Sequence, residues 1–183
     1  MEENEYLDGF ARRLQDSLVS LCTAYEMMGG MLLENDDLEC KFTEALAQPY
    51  LADAVREYRQ YPEASVAWAG YLGMAVAKLW DADWQAYQQV AYADLLGPRG
   101  FDDMDERIVQ QVLGYTLDSE PARRIANMLS NCAVEALTMI RHENIEPQSP
   151  RAYYVFARTI QVLYRLGASI ELFLLGYKLE RIQ

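Results

Sequence analysis

Histidine is almost missing from this chain: His142 stands alone among 183 residues. That scarcity excludes a good deal of chemistry. Carboxylate-bridged di-iron bundles draw on paired Glu-x-x-His motifs, and no Glu-x-x-His occurs here. Zinc held by Cys and His is equally unsupported. Cys22, Cys40 and Cys132 lie far apart and never form a C-x-x-C pair. Their odd number and wide spacing give no disulfide framework either, so reduced thiols in a cytoplasmic protein are expected. A G-x-S-x-G elbow is absent, as are the phosphate-cradling patterns G-x-x-x-x-G-K and G-x-G-x-x-G. Any Cys–His pair would have to use His142. That residue falls in the last turn of a helix, on its polar side with Asn131, Glu135 and Thr138, where a protonated imidazole suits the helix dipole. It reads as a surface residue. The expectation is therefore no cofactor and no metal.

Long apolar runs are missing too. The longest uncharged stretch in mid-chain, Ala64 to Ala77, has 14 residues, short of the roughly 20 that span a bilayer. The start, Met1-Glu2-Glu3-Asn4-Glu5, is acidic and has no apolar core of a secretory signal. A cytoplasmic location with no membrane contact is expected. Basic residues are scarce: 16 against 28 acids, for a net charge of −12. Phosphate would be repelled, so nucleic acid is not an expected partner. The charge is uneven. Residues 1–120 carry 23 acids and 8 bases, a net −15, whereas residues 121–183 carry 5 acids and 8 bases, a net +3. Either the basic C-terminal helices pack beside the acidic N-terminal ones, or one end docks a charged partner.

What the chain does have is apolar residues at helical spacing, 51% hydrophobic overall. Leu7, Leu14, Leu21 and Met28 repeat every seven, with Phe10, Leu18, Tyr25 and Leu32 between them. This predicts a first helix over 5–33. Asn35-Asp36-Asp37 offers N-cap chemistry for a helix at 38–47. Pro49 interrupts, and 49–61 continues helically, as a second helix or as the far half of a kinked rod. Pro62 opens a helix to Trp80 that is apolar on both faces: Trp68, Leu72, Ala75 and Leu79 on one, Val66, Gly70, Gly73 and Ala77 on the other. A helix apolar all round lies inside a bundle. Asp81 or Asp83 caps a helix through Trp84, Tyr87, Ala91, Tyr92 and Leu95, stopped by Leu96-Gly97-Pro98. The run Asp102-Asp103-Met104-Asp105-Glu106 reads as an acidic helix start, with Asp103 and Glu106 at capping-box spacing, leading through Ile108 and Val112 to Leu117. Ser119-Glu120-Pro121 starts the next helix. Ser149-Pro150 starts the last, to about Arg181, with Tyr153, Phe156, Ile160, Leu163, Gly167, Ile170, Leu174 and Tyr177 in its stripe.

No Val/Ile/Thr alternation predicts a sheet. The expected fold is a single all-α domain over 1–183, a compact bundle of about six to eight helices with 62–80 and 150–181 central.

Three features invite a functional reading. Arg151, Arg158 and Arg165 repeat every seven opposite the last stripe, with Gln161 and Ser169 beside them. Guanidinium forks suit carboxylates and phosphates, so this strip would hold an anionic ligand, or simply pair with the acidic half. Glu171 falls inside the apolar stripe. Burial of a lone carboxylate is costly unless it is paired, so an Arg from another helix (Arg12, Arg13 or Arg124) is its expected partner. A raised pKa beside a pocket is the alternative. Trp80, Trp84 and Tyr87 either line an aromatic pocket or belong to the core.

The leading functional expectation is a non-enzymatic protein-interaction or self-association module, the first helix offering its seven-residue seam if the monomer leaves it unused. The alternative is a small-molecule domain that binds an anion on Arg151, Arg158 and Arg165 with Gln161 and Glu171. A third class, an enzyme built from scattered Glu, Arg and Tyr, would leave no motif.

Overall fold

The computed structural model describes residues 2–178, and among these there is no strand. Eight helices follow one another: α1 (Glu2–Ala24), α2 (36–58), α3 (Pro62–Ala82), α4 (Trp84–Gln89), α5 (Tyr92–Leu96), α6 (104–112), α7 (Glu120–His142) and α8 (Pro150–Leu174). This is the expected all-α bundle. α3 and α8 lie against each other along their lengths, α1 covers α8, α7 covers α3, and α2 flanks α3. Among the described residues, no helix is long and apolar enough to cross a membrane.

Glycine makes the central pair possible. A Cβ on Gly73 would lie 2.1 Å from the Tyr164 carbonyl oxygen, and one on Gly167 would lie 1.9 Å from the Gly70 carbonyl oxygen. Both clashes are with backbone, which has nowhere to go. α3 and α8 thus touch main chain to main chain, and their other side chains fill the flanks. Residues 65–77 are all buried except Trp68, which is half-buried. Leu72, Gly73, Leu163 and Leu166 are buried together at the centre. The polar groups this core encloses are largely satisfied. Tyr50 Oη donates to the Ser65 carbonyl at 2.7 Å, and Tyr164 Oη donates to the Leu38 carbonyl at 2.8 Å.

Several helix ends differ from the sequence expectation. α1 stops at Ala24, not near 33. Glu26 adopts a positive φ of 61°, and the Met27 N–H closes onto the Cys22 carbonyl at 3.0 Å. The chain then folds back, so Met27 and Met28 enter the core from a turn. The seven-residue seam is therefore spent inside the molecule: Leu7, Leu14 and Met28 are buried and Leu21 is half-buried.

The two segments around Pro49 form one helix. A π-turn at Phe42–Leu46 shifts the ladder, with the Ala47 N–H bonded to the Phe42 carbonyl. The wider turn lets the helix run on through a residue that has no N–H to give. Of the two candidate caps it is Asp83 that accepts from the Gln85 and Ala86 N–H groups, and the helix expected to run on to Leu95 breaks at Val90–Ala91 into α4 and α5. The Asp103 side chain caps nothing; a 3-10 turn, Phe101–Asp103, leads into α6 instead. α6 ends near Val112, leaving Leu117 outside any helix and exposed. α8 ends at Leu174, where Gly176 turns the chain at φ 97° and its N–H meets the Phe173 carbonyl at 3.0 Å. Tyr153, Leu174 and Tyr177, expected in the inward stripe, are exposed. Arg181 lies outside the described residues.

The glycine contact generates a stability prediction. In urea unfolding, Gly73→Ala and Gly167→Ala should each lower stability by about 3 kcal/mol, the cost of overpacking against immovable backbone. A Cβ on Gly9, on α1, meets nothing within 4 Å, and Gly9→Ala should raise stability by about 0.5–1 kcal/mol. Equal effects at all three positions would mean that the α3–α8 contact is looser than described.

Candidate functional site

The arginine strip meets carboxylates of its own chain. Arg151 grips Glu3 with Nε at 2.9 Å and Nη2 at 2.6 Å, while its Cζ sits 4.5 Å from the Tyr6 ring centroid. Arg158 pairs with Asp8. Arg165 holds both oxygens of Glu39 at 2.6–2.9 Å, and Gln161 Nε2 joins them at 2.9 Å from Glu39 Oε1. Hydrogen bonding to Glu39 raises the Arg165 pKa further. Ser169 is buried and accepts from the Leu33 N–H at 2.7 Å. The strip is thus where α8 holds α1 and α2, as the charge asymmetry of the sequence allowed. A cavity of about 180 Å³ opens beside Arg165, but Glu34, Asp36 and Glu39 line it too. An anion would enter only by displacing a carboxylate already in place.

The aromatic trio serves as a tether. Trp80 Nε1 donates to Asp37 Oδ2 at 3.0 Å, and Tyr87 Oη donates to the Asp37 carbonyl. Lys41 lies over the Tyr87 ring at 5.5 Å. These contacts fasten the first turn of α2 to the end of α3 and to α4. Trp84 remains half-exposed beside Tyr87.

Glu171 is only 4% exposed, and its Oε2 has no hydrogen-bond partner among the described residues. The expected arginine is not there. Arg13 is engaged by Glu143 at 2.8 Å, Arg124 donates to the Tyr25 carbonyl at 3.0 Å, and Arg12 points to solvent. Burial pushes the Glu171 carboxyl up to about 7, with Lys78 opposing and Asp81 reinforcing the shift. Cys22 and Cys132 are both fully buried, their sulfurs 3.7 Å apart between α1 and α7. Contact with Cys22, then burial, drives the Cys132 thiol far above its ordinary range. Cys40 is exposed. His142 is also exposed, at the end of α7.

The most distinctive concavity lies elsewhere. A groove of about 530 Å³ opens between the first turns of α3, the middle of α7 and the start of α6. Ala64, Ala67, Trp68 and Tyr71 line it from one face of α3, at steps of three and four. That face is turned away from Gly73 and the α8 contact. Ala126 and Ser130 of α7 form the facing wall, Asp105 of α6 closes one side, and half-exposed Tyr61 stands at the mouth. Trp68 is anchored by its Nε1, which donates to the Phe101 carbonyl at 2.8 Å, and its ring meets Tyr71 edge-on at 5.5 Å. The charged side chains of the lining are Glu63 and Asp105, both acids. Glu63 accepts from Ser130 Oγ. Asp105 has no ion pair among the described residues. Burial lifts its carboxyl to about 6, and the charges of Glu106 and Asp103 add to this. The Tyr71 pKa rises as well, through burial and then the charge of Asp105.

Sequence reasoning missed this site. By spacing alone Trp68 belongs to the core face of its helix, and Asp105 is one acid in a run of four. The usable signal was the Ala64–Ala67–Trp68–Tyr71 spacing, which puts two small residues beside two large aromatics on one face. Among the described residues, no group of three His, Cys, Asp or Glu is placed to hold a metal ion. Comparison with protein-family models, curated proteins and solved structures yields no match.

Two predictions follow from the buried groups. Glu171 has a folded-state pKa near 7 against an ordinary 4.5. Between those values the folded chain holds a proton that the unfolded chain releases, so stability falls as pH rises through this window. Above it the charge costs about 3 kcal/mol. Glu171→Gln should therefore stabilise the protein at pH about 8 and change little near pH 4.5, where the native carboxyl is already neutral. A loss of stability at both pH values in urea titrations would reveal a partner for Oε2. In thiol titration with an aromatic disulfide reagent, Cys40 should react at once, and Cys22 and Cys132 only on unfolding. Rapid reaction of all three would mean that the α1–α7 seam opens freely.

Proposed function

We propose that the protein is a non-enzymatic interaction module, and that its partner is a protein that presents a basic segment to the groove between α3, α6 and α7. One observation carries this reading: an aromatic-walled cavity whose charged side chains are carboxylates, on a chain in which six of the twelve described arginines are paired with its own acids. Opposite charge across an interface speeds encounter and sets register, while desolvated aromatic contacts supply most of the affinity. Self-association is less well supported. The α1 seam is consumed within the fold, and a second copy would bring the same acidic groove. An anionic small molecule on Arg151, Arg158 and Arg165 has to compete with Glu3, Asp8 and Glu39.

Calorimetric titration at physiological salt tests the reading. A short Arg/Ser peptide should bind with a one-to-one endpoint and weaken as salt rises, because exposed charges are screened over about 8 Å. A Glu/Ser peptide of equal length should not bind. Absence of binding by the basic peptide even at low salt would overturn the proposal, as would an endpoint of many peptides per chain.

A further inference from the structure

Building on that reading, we propose that the groove seats one arginine side chain of the partner, its guanidinium against Asp105 and its plane among Trp68, Tyr71 and Tyr61. The groove asks for a cation, since the charges it presents are Asp105 and Glu63. It does not suit a hard metal ion. Calcium takes six to eight oxygens and magnesium near-octahedral geometry, whereas here two carboxylates stand on separate helices amid carbon walls. A lysine ammonium is compact and strongly hydrated. A guanidinium is planar and weakly hydrated, pairs with a carboxylate through two parallel N–H donors, and packs on aromatic rings. Each of these properties has its counterpart in the groove. Asp105 is half-buried and has no ion pair among the described residues. The Tyr71 hydroxyl makes no hydrogen bond among the described residues, lies close enough to feel the Asp105 charge, and faces a cavity rather than a sealed interior. The small side chains of Ala64, Ala67 and Ala126 leave room for the aliphatic stem.

The charged surroundings of Asp105 fix the sign of the pH effect. Asp102, Asp103, Glu106 and Arg107 flank it on its own segment, Arg99 lies 4.0 Å from Asp103, Tyr71 of α3 feels its charge, and Glu63 shares its groove. Burial first, and then the charges of Glu106 and Asp103, outweigh the backbone N–H groups of Glu106 and Asp105 and favour the protonated form until a cation arrives. A guanidinium binds the ionised carboxylate, so affinity should increase as pH rises through about 6 and level off above it.

The test is an NMR titration of the full chain with an Arg-containing peptide and with the same peptide carrying citrulline, the uncharged isostere. The Trp68 indole N–H reports on the groove, and the Trp80 indole N–H, held by Asp37, serves as internal control. The Arg peptide should shift Trp68 and leave Trp80 still, and citrulline should bind at least about tenfold more weakly, a difference of about 1.4 kcal/mol. Asp105→Asn should cost about tenfold in affinity and abolish the pH dependence. It removes a desolvated charge, so the fold should not suffer. Asp118→Asn, an exposed acid outside the groove lining, should change nothing. If the Arg peptide binds but Asp105→Asn and Asp118→Asn weaken it equally, with Trp68 unmoved, the seat is wrong while a basic partner still stands. If arginine amide alone shifts Trp68 as strongly as any peptide, the seat stands and the protein partner falls. If neither probe binds, both are overturned.

Discussion

The bundle depends on one contact, the meeting of the α3 and α8 backbones at Gly70, Gly73 and Gly167. Ordinary helix packing keeps axes 8–10 Å apart because side chains stand between them. Here a single methyl group would collide with a carbonyl oxygen at 2.1 Å or less. The gain is dispersion contact over a long, flat face. The consequence is geometric. With no side chain between the two rods at these glycines, the large residues beside them are displaced to the flanks. There they meet α1, α2 and α7. Tyr164 reaches α2, where its ring stacks on Phe42 at 4.5 Å. Trp68 and Tyr71 are carried to the side of α3 away from the contact, where Tyr71 is covered and Trp68 is left half-buried. The groove is what remains of that incomplete cover.

Charge divides the molecule in a second way. The C-terminal third is basic and the rest acidic, and the fold brings them together across long sequence separations: Glu3 to Arg151, Asp8 to Arg158, Glu39 to Arg165, Arg13 to Glu143. Most of these pairs are exposed, and such pairs contribute little individually. Their collective effect is on orientation. They set α1 and the first turn of α2 along one edge of α8 and leave the opposite side of α3 without bases in its groove. The chain thus pairs charges along one edge of α8, while the charged side chains of the groove lining are acids.

Much of this architecture was legible in the sequence. Residues that are apolar at every helical angle must be enclosed, and this identified both α3 and α8. What escaped were the places where apolar spacing continues past the helix. Met28 and Leu32 keep the α1 period, and the residue that ends that helix, Glu26, carries no glycine or proline signature for its positive φ. Tyr177 likewise keeps the α8 period beyond its end. Pro49 looked like a break because a π-turn is not visible in a pattern of apolar residues. The arginine strip was found at the right positions, but its occupants lie some 120 to 150 residues away in the chain, and spacing along one helix says nothing about them. The groove was hidden for the opposite reason. It is assembled from three helices, and none of its parts is unusual alone.

Glu171 and Asp105 separate a cost of the fold from a site. Both carboxyls are desolvated and lifted toward neutral pH, and perturbed carboxyls of this kind are often taken as pointers to function. Their surroundings differ. Glu171 is sealed under the last turns of α8, with Lys78 the cation whose charge acts on it. Relief there comes from a proton, and that changes stability without engaging anything outside. Asp105 borders an open groove walled by aromatic rings, where relief can come from a cation that enters and replaces lost water with two donors and a π-face. A buried charge becomes a binding determinant when the ligand, and not only the proton, can reach it. On that criterion Asp105, and not Glu171, belongs to the groove proposed to bind a partner.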